Sequence, residues 1–129
     1  LARNQISGEG MGAISATLCS GALRSLKTLR LTGNHIGDSG MKAFSDAISV
    51  KAPPASLANL DLDDNQISDR GIKVFSSVLC NQTRNIANVI FFGGNPINDA
   101  CIDAFECAHP NMLCIFKRGL HGRRVVSDF

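Results

Sequence analysis

Four residues near the C-terminal end, Cys101, Cys107, His109 and Cys114, carry the side chains best suited to zinc. Cys101 and Cys107 lie six apart on one expected helix, which turns them roughly 120° from each other at ~3.6 residues per turn. Their spacing fits no common zinc module, so small buried or half-buried thiols are expected instead. Asp61, Asp63 and Asn65 alternate like the start of a calcium loop. The sixth position is Gln66 where the sharp turn needs glycine, and the twelfth is Ile72 where glutamate should ligate. Gly8-Glu9-Gly10-Met11-Gly12-Ala13 fits the loose G-x-G-x-x-A fingerprint of dinucleotide sites. Gly10, however, belongs to a repeating column that recurs without the fingerprint. His35, His109 and His121 have no nucleophile or carboxylate in a register that would make a catalytic group. No cofactor, metal, small-molecule substrate or catalytic site is expected, and the chain reads as non-enzymatic.

Composition narrows the remaining classes. The 129 residues are 44% hydrophobic, with seven Phe but no Trp or Tyr. An aliphatic, layered core suits this better than an aromatic cage or a base-stacking platform. Thirteen basic against eleven acidic residues give a net charge of +2, too balanced for general nucleic-acid or membrane binding. The one basic run, Lys117, Arg118, Arg123 and Arg124, reads as a solvated end. Five scattered cysteines make no disulfide framework and favour reduced thiols, hence a cytoplasmic setting, against the formal sequon Asn81-Gln82-Thr83. No apolar run approaches the ~18 residues of a membrane span. The chain opens at Leu1 in the middle of a pattern, so a fragment of a longer protein is expected.

That pattern is an internal repeat. Asn4, Asn34, Asn65 and Asn95 stand 30, 31 and 30 residues apart, and each is followed two positions later by Ile6, Ile36, Ile67 or Ile97. Gly10, Gly40 and Gly71 form a later column that Cys101 breaks, and Ile14, Phe44, Phe75 and Phe105 form another. Ahead of three of the asparagines come Leu26, Leu29 and Leu31, then Leu57, Leu60 and Leu62, then Ala87, Ile90 and Phe92.

Each column has a physical task. Leu29 and Leu31 are two apart, so both point to the same side of a short strand. The asparagine stands where the chain turns off the strand, and its amide can bond backbone groups that the bend leaves unpaired. Asp38, Asp69 and Asp99 precede helical stretches and suit the capping of free amides at a helix N-terminus. The glycine column allows either tight packing or an unusual backbone angle. Met41, Phe44 and Ile48 then recur at helical spacing and mark one buried face. Pro53 and Pro54 fall in the single 31-residue interval, as an extra helix-to-strand loop residue should. A strand, a turn and a helix per unit cannot bury their own apolar edge, so the units must stack.

The segments LKTLRLTGNHIGDSGMKAF (26–44) and LANLDLDDNQISDRGIKVF (57–75) resemble leucine-rich repeats of the ribonuclease-inhibitor-like class, with the pattern L-x-x-L-x-L-x-x-N-x-I-x-D-x-G before a helix. The resemblance covers about residues 1–109, where the first repeat lacks its strand start and the fourth degenerates after Phe105. It implies an α/β solenoid of about four 30-residue repeats, a right-handed coil with parallel strands on the concave face and helices on the convex face. It also implies a monomeric, non-catalytic scaffold that binds a protein partner through the strand face. Such repeats elsewhere serve ribonuclease inhibition, innate-immune sensing, GTPase activation and actin regulation, and a regulatory array of that kind or an architectural subunit of a large assembly is the alternative.

Residues 110–129 are expected to form a C-terminal strand or β-hairpin that caps the array, with Met112 to Phe116 as its strand. Alternation then selects the concave-face contacts: Arg30, Thr32, Asn59, Asp61, Asp63, Phe91 and Phe116, flanked by Ala2, Arg3, Thr28, Asp64, Val89, Met112 and Cys114. Arg30 and Asp61 share a column on strands about 4.8 Å apart, so a cross-strand ion pair is expected. Asn4, Asn34, Asn65 and Asn95 are expected to form a structural ladder.

Overall fold

The computed structural model describes residues 4–51, 53, 56–80 and 87–116. The hairpin, the basic run, the sequon and the expected contacts at Ala2 and Arg3 lie outside the described residues. The elements alternate along the chain as α1 (Gly8–Cys19), β1 (Thr28–Arg30), α2 (Gly37–Val50), β2 (Asn59–Asp61), α3 (Asp69–Leu79), β3 (Val89–Phe91), α4 (Asp99–Ala108) and β4 (Leu113–Ile115). The strands form one parallel sheet in the order β1-β2-β3-β4. Equivalent positions start at 28, 59, 89 and 113, so the last interval contracts from about a full repeat to 24 residues. The chain folds as an α/β leucine-rich-type solenoid, with the core between the sheet and the row of helices.

The inward strand residues Leu29, Leu60, Ile90 and Cys114 pack with Met11, Met41, Phe44, Ile72, Phe75 and Phe105 from the helices. Phenylalanine concentrates toward β4. Phe75 lies 6.0 Å from Phe44 and 6.1 Å from Phe105, and Phe92 lies 5.3 Å from Phe116. Phe75 and Phe92 meet edge to face at 5.9 Å, which joins the helix column to the strand column.

The asparagines stitch successive turns. Asn34 Oδ1 accepts the Asn4 and Ile6 backbone N–H groups, and its Nδ2 donates to the Leu31 carbonyl. Asn95 repeats this one layer on: Oδ1 accepts from the Asn65 and Ile67 N–H groups, and Nδ2 donates to the Leu62 and Phe92 carbonyls. Asn65, wholly buried, donates to the Leu31 and Asp63 carbonyls and accepts from Ile36 N. Each amide therefore closes its own bend and the bend of the preceding unit.

The aspartates act differently from the helix caps expected of them. The caps are Ser7, Ser68 and Asn98, one position earlier, each accepting a first-turn N–H. Asp38 reaches instead to the next repeat, where Oδ1 accepts Ser68 N at 2.7 Å and Gly71 N at 3.2 Å and Oδ2 accepts the Ser68 hydroxyl. Asp69 treats Asn98 in the same way, through its backbone N–H and its side-chain amide. A carboxylate at a neighbouring helix N-terminus meets both unpaired amides and the positive end of the helix dipole. Between the first and second units both partners of this stitch are missing together: Gly8 stands at the aspartate position, and Gly37 stands at the cap position with a φ of 65°. Helix α2 accordingly starts without a side-chain cap.

The glycine column serves packing. A Cβ on Gly40 would collide with Ile36 Cγ2, and one on Gly71 would lie 3.3 Å from Met41 Cβ and 2.5 Å from Asp38 Oδ1. Positive φ falls outside this column, at positions that include Gly33, Asp64 and Gly94, each just before an asparagine. Gly94 is doubly constrained, because a Cβ there would enter the Asp64 carboxylate.

Candidate functional site

The sheet face turned away from the helices carries two rows of side chains. Register aligns Thr28, Asn59, Val89 and Leu113 in one row, and Arg30, Asp61, Phe91 and Ile115 in the other. Thr28, Arg30 and Asn59 are exposed; Asp61 and the four apolar residues of β3 and β4 are half-buried. Charged and polar groups thus occupy β1 and β2, and an apolar patch occupies β3 and β4.

Four expected contacts, Arg30, Asn59, Asp61 and Phe91, lie on these rows, and Thr32 follows half-buried at the end of β1. Two do not qualify. Phe116 faces inward and is 3% exposed, because Ile90 pairs with Cys114 and so places Phe116 beside buried Phe92. Met112 and Cys114 share that inward phase, and Leu113 and Ile115 take the outward places. Asp63 is 9% exposed, and its Oδ1 accepts the Gly93 N–H at 2.6 Å. That carboxylate is spent on holding the bend after β3.

Arg30 and Asp61 are register partners, yet no ion pair joins them; among the described residues the ion pair is Lys42–Asp46, on the helix side. Asp61 Oδ1 accepts the Asp63 N–H at 3.1 Å, which turns the carboxylate along its own strand. Both charges therefore remain open to a ligand.

The cysteine and histidine candidates are dispersed by the fold. Cys19, Cys101 and Cys114 are buried, whereas Cys80 and Cys107 lie on the surface, and all five are unpaired thiols. Burial pushes the Cys114 thiol far above the ordinary range, with the nearby Glu106 carboxylate adding to the effect. Burial also raises Cys101 and Cys19. His109 caps α4 with its ring 4.7 Å from Phe105 and Nε2 2.7 Å from Ser76 Oγ. Its pKa is lowered by burial, against a bond to the Ser76 backbone. Among the described residues no cluster of three or more His, Cys, Asp or Glu could hold a metal ion, and no helix is long and apolar enough to cross a membrane.

What sequence reasoning missed was the pair Leu113 and Ile115. All five residues from Met112 to Phe116 are apolar apart from the thiol of Cys114, so alternation carries no phase there.

Residues 22–45 and 55–76 each match the family described as "Leucine Rich repeat". No curated protein matches the chain.

Proposed function

Because this chain is a leucine-rich repeat protein, we propose that it is a non-catalytic scaffold that binds a protein partner through the outer face of its sheet. Repeats of this family commonly act as interaction modules, and a stacked sheet offers a broad surface without a deep pocket. The observation that carries the reading is the row Arg30, Asp61, Phe91 and Ile115. It presents two unpaired opposite charges beside side chains that are apolar and incompletely covered. Elsewhere the polar groups most suited to recognition are consumed by the stack, as Asp38, Asp69 and Asp63 show. Apolar surface of this kind, bordered by charge, is characteristic of partner contacts.

The test compares two variants as baits in affinity capture followed by quantitative mass spectrometry. Asp61→Lys with Phe91→Ser changes the sheet face, and Lys42→Glu with Asp46→Lys reverses an exposed pair on the helix side. Loss of specific partners with the first variant and their retention with the second supports the reading. Retention with the first and loss with the second overturns it.

A further inference from the structure

Resting on the sheet-face reading, we infer that this face takes an amphipathic α-helix lying across the strands, with an acidic residue, a basic residue and two apolar residues at i, i+3, i+7 and i+10. The repeat distance carries the argument. Neighbouring strands are ~4.8 Å apart, so Arg30, Asp61, Phe91 and Ile115 form a row spanning roughly 14 Å. A helix rises ~1.5 Å per residue, and its residues i, i+3, i+7 and i+10 stand on one face at about 0, 4.5, 10.5 and 15 Å. Each falls within about 1 Å of a strand position. An extended peptide places same-face residues ~6.6 Å apart, so three steps would run ~20 Å and overshoot β4.

Charge fixes the order along the helix. An acidic side chain meets Arg30, a basic one meets the Asp61 oxygen not occupied by the Asp63 N–H, and apolar ones cover Phe91 and Ile115. The second row supports the same orientation, since Thr28 and Asn59 border the charged half while Val89 and Leu113 widen the apolar half. A helix laid in the opposite direction with the unchanged sequence would set leucines over Arg30 and Asp61, leaving both charges desolvated and unpaired.

The probe is an end-capped, alanine-based helical peptide carrying Glu, Lys, Leu and Leu at those four positions, labelled for fluorescence anisotropy with the full chain. One control carries the same residues in the order Leu, Glu, Leu, Lys. Another keeps the original order but is made extended by proline. The matched helix should bind saturably, and both controls should bind at least about tenfold more weakly, the scale of one misplaced charge. The double variant Arg30→Glu/Asp61→Lys should prefer a peptide with its Lys and Glu exchanged, with circular dichroism confirming an unchanged fold. No saturable binding of the matched helix, equal binding of the permuted one, or an unchanged preference in the double variant overturns the inference. Capture of a partner through this face by a non-helical segment would also overturn it while leaving the sheet-face reading intact.

Discussion

Replacing Asn95 by alanine should destabilise the protein more than replacing Asn65, although Asn65 is wholly buried and Asn95 only partly so. The difference lies in the number of backbone groups left without a partner. Asn95→Ala strands the Asn65 and Ile67 N–H groups, previously bonded at 2.8 and 3.0 Å, and the Leu62 and Phe92 carbonyls, both at 2.9 Å. Asn65→Ala leaves better-provided neighbours. The Leu31 carbonyl keeps Asn34 Nδ2, the Asp63 carbonyl keeps the Gly33 N–H, and the Ile36 N–H loses only a long contact of 3.4 Å. An unsatisfied buried group costs ~1–3 kcal/mol, and partial solvent access at Asn95 favours the lower figure. The loss is then about 4 kcal/mol at Asn95 and about 1–2 kcal/mol at Asn65. Urea titrations followed by far-ultraviolet circular dichroism measure both from midpoint and slope. An Asn65 variant equal to or less stable than the Asn95 variant would refute the counting, because it would mean that burial outweighs redundancy.

Three further outcomes follow from particular contacts. Asp38→Ala removes a charged acceptor of three donors from the next repeat and should lower stability by about 2 kcal/mol. In the same titration Asp46→Ala, which breaks only the exposed pair with Lys42, should cost under ~0.5 kcal/mol. Ser45→Ala should leave the thermal midpoint unchanged or raise it, since Ser45 Oγ is buried without a partner; Ser15→Ala should lower it, since that hydroxyl donates to the Met11 carbonyl at 2.7 Å. Acidification should weaken the fold through His109: its folded pKa lies below the unfolded value of about 6.5. The unfolded chain therefore takes up the proton first, and stability present above that pH is lost as pH falls toward the folded value. Comparing urea midpoints at neutral pH and about one unit below the unfolded value should show a smaller drop for His109→Gln than for the parent.

The repeat made most of this architecture legible in the sequence. Wherever an asparagine anchors the count, the leucine columns fix both strand position and phase, and Arg30, Asp61 and Phe91 fall on the outer face. Beyond the last asparagine unit that anchor disappears, and the phase with it. Pro110 follows a helix that ends at Ala108, the interval to β4 contracts, and the apolar run Met112–Phe116 fits either phase. A slip of one residue then put Phe116 on the surface, whereas packing against Phe92 places it inside. The aspartates were misassigned for another reason. Spacing shows that Asp38 and Asp69 stand at helix starts, but a column cannot show whether a side chain serves its own layer or the next one. The paired absence at Gly8 and Gly37 was the available signal, because two columns that lose their polar residue across the same interface imply a bond between layers.

The central claim, that the outer sheet face is the binding surface, is tested most directly by nuclear magnetic resonance mapping of the labelled chain titrated with a captured partner. The account predicts that amide and methyl shifts concentrate at Arg30, Asn59, Asp61, Val89, Phe91, Leu113 and Ile115. Shifts concentrated instead on the exposed helix residues Lys42, Asp46 and Lys73, with the strand residues unmoved, would contradict it.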